Sequence, residues 1–442
     1  AIKYRQSLDY LNDVISRGEK TDLDNIKKAL GALGDIHSRL RVVHITGTNG
    51  KGSTAAFVSS MLAEMGHKTG LFTSPHLSDV RERIKINGKN ISRAEFCSLL
   101  NEARAAYESF GAQPSFFELM LVIAVLHFYK EKCDFVIAEV GIGGRLDSTN
   151  VLNGSVCSIT GIDYDHIEYL GGTLRQIASE KAAIVKPGSI LTVNVDDDEL
   201  FGFIKQQAES RNAAAVVRVS EAVRGRVISA GVSGTDFIID SGLFKGVPFH
   251  IPLIGDYQFQ NARCALAIIE ALIAQGHIAA DSNGAARGLK KTFWPGRFEI
   301  IHNSGLTVVL DGAHNVNGMQ GLARNLKFIF AGKKIRAIIS ILSSKQYDEM
   351  LKTISCVCSE LIIVGINNIK KNVEVGSLIE HAKKYHGDVK YFGEFKSAID
   401  YVRGSFHETD VCCVTGSLYL VGEARSQLSP AASEEKSMRA SG

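Results

Sequence analysis

The stretch "GTNGKGS", residues 47–53, follows the β-branched run "VVHIT" and precedes the helix-like "TAAFVSSML". Its residue types suit one task. Gly47 and Gly50 permit a tight turn, backbone N–H groups at a helix start bind phosphate, and Lys51 adds a point charge toward the outer phosphates. The spacing departs from the common P-loop: Ile45 stands six residues before Lys51, Gly52 follows it, and the hydroxyl is delayed to Ser53. Thr48, Asn49, Gly50, Lys51, Gly52 and Ser53 are therefore candidates for a phosphate cradle, with an ordinary glycine turn as the plainer alternative. Other polar residues fall just after β-like runs: Ser74 after "GLFTS", Glu139 in "VIAEVGIGG", and Asp163, Asp165 and His166 after "SITGI". In open α/β sheets ligands sit beyond the carboxyl ends of the strands, so a hydroxyl, a carboxylate and an imidazole there make a magnesium site conceivable. Ser74 before Pro75 also suits a plain turn, and a lone His166 is more often structural. "GIGG" at 141–144 lacks the third glycine of a dinucleotide motif.

Lys181 is harder to explain blandly. In "GGTLRQIASEKAAIVKPG" Thr173 and Gln176 have capping-box spacing. At about 100° per residue Lys181 then falls among Leu174, Ile177, Ala178 and Val185, inside the apolar stripe. Such a lysine either snorkels or is desolvated; desolvation lowers its pKa and leaves a neutral, nucleophilic amine. A neutral amine captures carbon dioxide, and the carbamate is an anionic oxygen ligand.

These residues need a scaffold. A chain of 442 residues exceeds one ordinary core and implies two domains. Lysine plus arginine number 50 against 47 acidic residues, in scattered pairs, with no stripe to track a nucleic-acid backbone. "FFELMLVIAVLHFY" from Phe116 is broken by Glu118 and His127 and reads as a buried helix rather than a membrane span. The eight cysteines form no CxxC pair, which favours small buried hydrophobes and a reducing, cytoplasmic compartment. No charged-then-apolar leader opens the sequence, so export is not expected.

Strand-like "RVVHIT", "KTGLFTS", "DFVIAEV" and "SVCSITGI" alternate with helical patterns, the mark of a parallel sheet covered on both faces. From Ile190 to Pro252 short β runs arrive with short turns and suggest an inserted antiparallel patch. After "WPG" at 294–296 the alternation resumes in "LTVVLDGA", "IRAIISIL", "ELIIVGI" and "DVCCVTGS". The expected fold is α/β: a P-loop parallel-sheet ATPase domain with a small antiparallel insertion (1–296), a smaller Rossmann-like α/β domain (297–425), and a disordered tail (426–442).

Taken in order, "HITGTNGKGS", "TSPHL" with "RERI", "EVGIGGRLDSTN", "DYDHIEYLG", "SEKAAIVKPG", "GDYQFQNA", "WPGRFE", "DGAHN" and "VTGSLYL" resemble the folylpolyglutamate synthase and dihydrofolate synthase family of the Mur ligase superfamily. The resemblance runs from about residue 20 to 422. Two departures stand out: Ala182-Ala183 where the family writes Ala-Gly after the modified lysine, and "TDLDNI" at 21–26 in place of a Gly-Leu-Glu-Arg-like stretch.

The resemblance implies an ATP-dependent ligase that makes an acyl phosphate on a dihydropteroate or reduced-folate carboxylate and lets the amino group of L-glutamate displace phosphate. By similarity, Asn49 to Ser53 cradle the phosphates and Ser74, Glu139 and His166 hold Mg2+. Carbamylated Lys181 supports a second metal and orients the acyl phosphate, so Lys51, His166 and Lys181 are the expected catalytic residues. Asn261, Arg297, Asp311 and His314 are placed around the nucleotide, with domain closure excluding water. Ser115, Phe117, Glu118, Leu146, Asp147 and Ser148 match the segments lining the pteroate or folate pocket. A monomer without nucleic-acid or membrane partners is expected. The competing readings are a Mur-type ligase acting on a cell-wall precursor, against which "GKGS" and "TSPHL" speak, and a P-loop nucleotide switch, for which no base-recognition signature is present.

Overall fold

The computed structural model describes residues 2–16, 22–303, 305–342, 346–365, 374–405, 407 and 410–428. The chain divides into two units: 1–228, 236–251 and 259–292 form the first, and 229–235, 252–258 and 293–442 the second.

In the first unit, β1 (Val42–Thr46), β2 (Thr69–Phe72), β3 (Ile84–Ile86), β4 (Lys89–Asn90), β5 (Phe135–Glu139), β6 (Gly154–Ile159), β7 (Ile190–Val193) and β8 (Ala215–Arg218) build an eight-stranded sheet ordered β4-β3-β2-β5-β1-β6-β7-β8. All its pairings are parallel except β2–β3 and β3–β4. β1, β2, β5 and β7 are buried at every position, as parallel strands covered on both faces must be. Register then sets the site. Phe72 lies opposite Ala138, Glu139 opposite Ile45, and Thr46 opposite Ile159, so the residues following β2, β1 and β6 and the end of β5 emerge along one edge.

One expectation is corrected. The runs at 190–193 and 215–218 are not part of an antiparallel insertion; they extend the main sheet in parallel as β7 and β8, because the helix Asp198–Glu209 supplies the crossover between them. Only β9 (Gly225–Gly231), β10 (Gly234–Ile239) and β11 (Pro248–Ile251) form the small antiparallel sheet. The helix Lys51–Glu64 is enclosed. Gly52 through Ser59 are all buried, since the helix Ser282–Lys291 covers its outer face. The contact is close enough that a Cβ on Gly288 would lie 2.3 Å from the Met61 Cα. The helix Phe116–Lys130 is buried on nearly all sides, opened by a reciprocal Ser115–Glu118 capping box.

In the second unit β12 (Glu299–Asn303), β13 (Leu306–Leu310), β14 (Ile335–Ile339), β15 (Glu360–Val364), β16 (Val389–Phe392) and β17 (Val411–Thr415) form a six-stranded sheet ordered β12-β13-β17-β14-β15-β16, parallel except for the β12–β13 hairpin. The last helix continues past 425 to Leu428. The rest of the expected tail, 429–442, and Thr21 of "TDLDNI" lie outside the described residues. Among the described residues no helix is long and apolar enough to cross a membrane.

Candidate active site

β1 delivers the chain into the 47–53 loop, and the helix Lys51–Glu64 starts at its lysine. Gly50 is the N-cap in a left-handed conformation (φ 85°) and offers no side chain to the first helical turn. A Cβ there would also strike Asn261 Oδ1 at 2.2 Å, and one on Gly47 (φ 152°) would meet Thr160 Oγ1 at 2.0 Å. Glycine is thus required twice, for close approach as well as for φ. The loop is fastened from outside: Thr48 N–H donates to Gly161 O (2.9 Å), the Thr160 hydroxyl donates to Asn49 O (2.6 Å), and Thr48 Oγ1 accepts from Asp163 N–H (3.0 Å). The Lys51 ammonium curls onto its own loop, donating to Gly47 O (2.9 Å) and Thr48 O (3.1 Å).

Lys181 reaches the same carbonyl. Its helix, Leu174–Ala182, begins with the Thr173–Gln176 capping box, and its Nζ donates to Gly47 O at 2.9 Å. The side chain is 3% exposed, and burial, reinforced by the nearby Lys51 charge, pushes its pKa down to about 7. Gly144 lets this helix approach: a Cβ there would lie 2.5 Å from Glu180 O and 3.2 Å from the Lys181 Cα. The "GIGG" glycines therefore serve helix packing.

Adjacent parallel strands place Ser74 and Glu139 together, with Ser74 N–H donating to Glu139 Oε2 at 3.0 Å. His166 has φ 49°, rare for a residue with a side chain, and opens the short helix Ile167–Leu170. Its Nε2 lies 3.9 Å from Asp165 Oδ2. Among the described residues no three His, Cys, Asp or Glu side chains gather as a metal cage. A carboxylate, a hydroxyl and an imidazole are donor types that suit Mg2+, which takes few protein ligands and completes its shell with phosphate oxygens and water.

Of the pocket-lining candidates, Ser115 and Glu118 bond one another: Glu118 Oε2 accepts from Ser115 N–H (2.7 Å) and Ser115 Oγ from Glu118 N–H (3.3 Å). Glu118 Oε1 is buried without a hydrogen-bond partner. Phe117 packs against Phe72 with ring centroids 5.6 Å apart, and a Cβ on Gly141 would lie 2.9 Å from its Cζ and 3.0 Å from Asp147 Oδ2. Asp147 is buried, which raises its pKa; it accepts from Ile142 N–H and from the N–H and hydroxyl of Thr149. Ser148 beside it is buried, whereas Leu146 is exposed.

In the second unit Arg297, Asp311 and His314 gather at the end of β13. The buried Asp311 carboxylate accepts from Ala313 N–H (2.8 Å), Phe298 N–H (2.8 Å) and the Tyr257 hydroxyl (3.2 Å). A Cβ on Gly312 would lie 2.3 Å from an Arg297 guanidinium nitrogen, so the arginine comes close to this turn. His314 Nδ1 bonds Gly312 O at 2.7 Å. Residue typing missed Thr160, whose hydroxyl bonds the phosphate loop, and the Arg83–His76 contact (2.8 Å) within "TSPHLSDVRERI". Thr160 was findable, since it directly follows a strand next to β1.

Residues 45–269 match the Mur ligase middle domain and 296–418 the Mur ligase glutamate ligase domain. A dihydrofolate synthase/folylpolyglutamate synthase of Bacillus subtilis is 34% identical over 435 residues, covering 96% of this chain and 99% of that relative. The chain belongs to the folylpolyglutamate synthase and dihydrofolate synthase family. Like its relatives, this ligase is ATP-dependent and ADP-forming and joins glutamate to folate. Solved relatives share the whole fold. The folylpolyglutamate synthase of Thermotoga maritima superposes with a TM-score of 0.85 at 30% identity over 97% of both chains. The bifunctional Yersinia pestis enzyme with Mn, AMPPNP and L-glutamate bound gives 0.82 at 26% identity, over 96% of this chain and 97% of that one.

Proposed function

We propose that this ligase activates the carboxylate of dihydropteroate or a reduced folate in a site assembled around Gly47. A carboxylate oxygen attacks the γ-phosphorus of ATP, the bond to ADP breaks, and the acyl phosphate forms. The α-amino group of glutamate then attacks the carbonyl carbon, phosphate leaves, and the amine proton passes to solvent. Carboxylates need this activation because their own oxygen leaves poorly. Thr48 to Ser53, with Asn261 close against Gly50, bind the phosphates, and Lys51 swings from its loop carbonyls to the transferring phosphoryl group. The family resemblance assigns Arg297, Asp311 and His314 to nucleotide binding. Ser74, Glu139 and His166 are the Mg2+ ligands; the ion supplies charge neutralisation on the phosphates when bound.

The observation that carries this reading is the Lys181 amine, buried and lowered to about 7, bonded to the same Gly47 carbonyl as Lys51. A neutral amine there takes up carbon dioxide, and the carbamate, the likeness of a carboxylate, serves a second metal and orients the acyl phosphate. Phe117 and Asp147 offer the flat pterin a ring and an acceptor, while Ser115, Glu118, Leu146 and Ser148 complete the wall. All eight cysteines are free thiols, which supports a reducing cytoplasmic location.

The test is ADP release with Mg2+, ATP and L-glutamate, with dihydropteroate, tetrahydrofolate or no third component. Release with both pterins marks a bifunctional enzyme, and with one of them a single activity. Release unaffected by either overturns the substrate assignment.

A further inference from the structure

Thr46 and His44 stand two residues apart on β1 and so share one face of the strand. Both are fully buried, and both reach the same loop: the Thr46 hydroxyl donates to Gly143 O (2.7 Å), and His44 Nε2 lies 2.8 Å from Thr149 Oγ1. Thr149 Oγ1 is in turn 2.5 Å from Asp147 Oδ1. The direction of this chain follows from proton counting. Asp147 takes a backbone N–H on each oxygen, from Ile142 and from Thr149, and acts as an acceptor throughout. Thr149 has one hydroxyl proton, which goes to the carboxylate. The remaining contact is therefore His44 Nε2–H donating to Thr149 Oγ1. Among the described residues His44 Nδ1 is buried without a partner, as fits the unprotonated nitrogen of a neutral ring.

We propose that His44 and Thr149 are positioning residues for the folate-type substrate, their relay setting the Asp147 carboxylate that receives the pterin N–H groups. With the Thr46–Gly143 bond, it ties the 141–149 loop to the strand that runs into the phosphate loop. The inference rests on the reading that Asp147 lines the pterin pocket. A carboxylate stripped of its hydroxyl donor keeps its two backbone N–H bonds but loses the side-chain donor that shares in fixing its rotamer.

The experiment measures KM for the pterin substrate and for ATP in Thr149→Val, Thr149→Ser, His44→Leu, His44→Gln and Asp147→Asn, with thermal unfolding as the folding control. Removing the hydroxyl bond to the charged Asp147 raises the pterin KM about ten- to a hundredfold in Thr149→Val, and removing the neutral His44–Thr149 bond raises it about two- to tenfold in His44→Leu. The KM for ATP stays unchanged, and Thr149→Ser and His44→Gln, which restore the donors, recover the pterin KM. Should Thr149→Val fail to fold, His44→Leu carries the same test. A raised pterin KM in Asp147→Asn but not in the Thr149 and His44 variants overturns the relay. Equal rises for ATP and pterin overturn it too, as general damage. An unchanged pterin KM in Asp147→Asn overturns the pocket reading and the relay with it.

Discussion

Lys181→Met removes an ammonium and keeps the apolar stem. In the wild type, burial and the Lys51 charge lower the Lys181 pKa from 10.5 to about 7. The unfolded chain therefore binds more protons than the folded one between pH 7 and 10.5, and stability rises with pH across that window. The penalty is complete below pH 7 and gone above 10.5. At 1.36 kcal/mol per pH unit it amounts to roughly 5 kcal/mol below pH 7 and about 4 kcal/mol at pH 7.5. Lys181→Met carries no such penalty, so in carbon-dioxide-free buffer it is the more stable protein at neutral pH and the two converge toward pH 10.5. Denaturant or thermal unfolding between pH 6.5 and 10.5 reads the difference. At pH 7.5 roughly three-quarters of the lysine is neutral amine, against about one part in a thousand for an ordinary lysine. Bicarbonate should therefore raise the wild-type melting temperature and leave Lys181→Met unmoved. Parallel pH profiles for the two proteins would refute the desolvated amine, and full ligase activity in Lys181→Met would remove its catalytic role.

Three further outcomes follow from the geometry. Lys51→Ala should lower ADP release by at least about a hundredfold while leaving the melting temperature near wild type, as steady-state release assays and unfolding will show. Gly288→Val forces side-chain carbons into the Met61 backbone, where a first Cβ already falls 2.3 Å from Cα, and should cost on the order of 3 kcal/mol in denaturant unfolding. Chelation with EDTA should abolish ATP turnover, with Mg2+ or Mn2+ restoring it and Ca2+ restoring less, because the donor set offers too few protein ligands for the larger ion.

Much of the site was legible because its residues follow strands. A run such as "VVHIT" before "GTNGKGS" announces both the strand and where its ligand end lies, and the Thr173–Gln176 spacing sets the helical phase that buries Lys181. The placement of β7 and β8 was not legible, since short apolar runs fit parallel and antiparallel sheets alike and the helix Asp198–Glu209 between them went unread. Nor was the fastening of the 47–53 loop by Thr160 or the close approach of Asn261 to Gly50, which depend on residues more than 100 positions apart. Glu118 and Asp147 show a different limit. Their types suggested ligand binding, but Glu118 also closes a capping box and Asp147 also caps the 3-10 turn Ser148–Val151. Local backbone needs and ligand needs call for the same residue types.

The central claim is that the substrate carboxylate is phosphorylated before glutamate attacks. Dihydropteroate or tetrahydrofolate carrying 18O in its carboxylate, turned over with ATP and L-glutamate, tests it most directly. The account predicts one labelled oxygen in each inorganic phosphate released and the other in the new amide carbonyl. Unlabelled phosphate alongside normal product would contradict it.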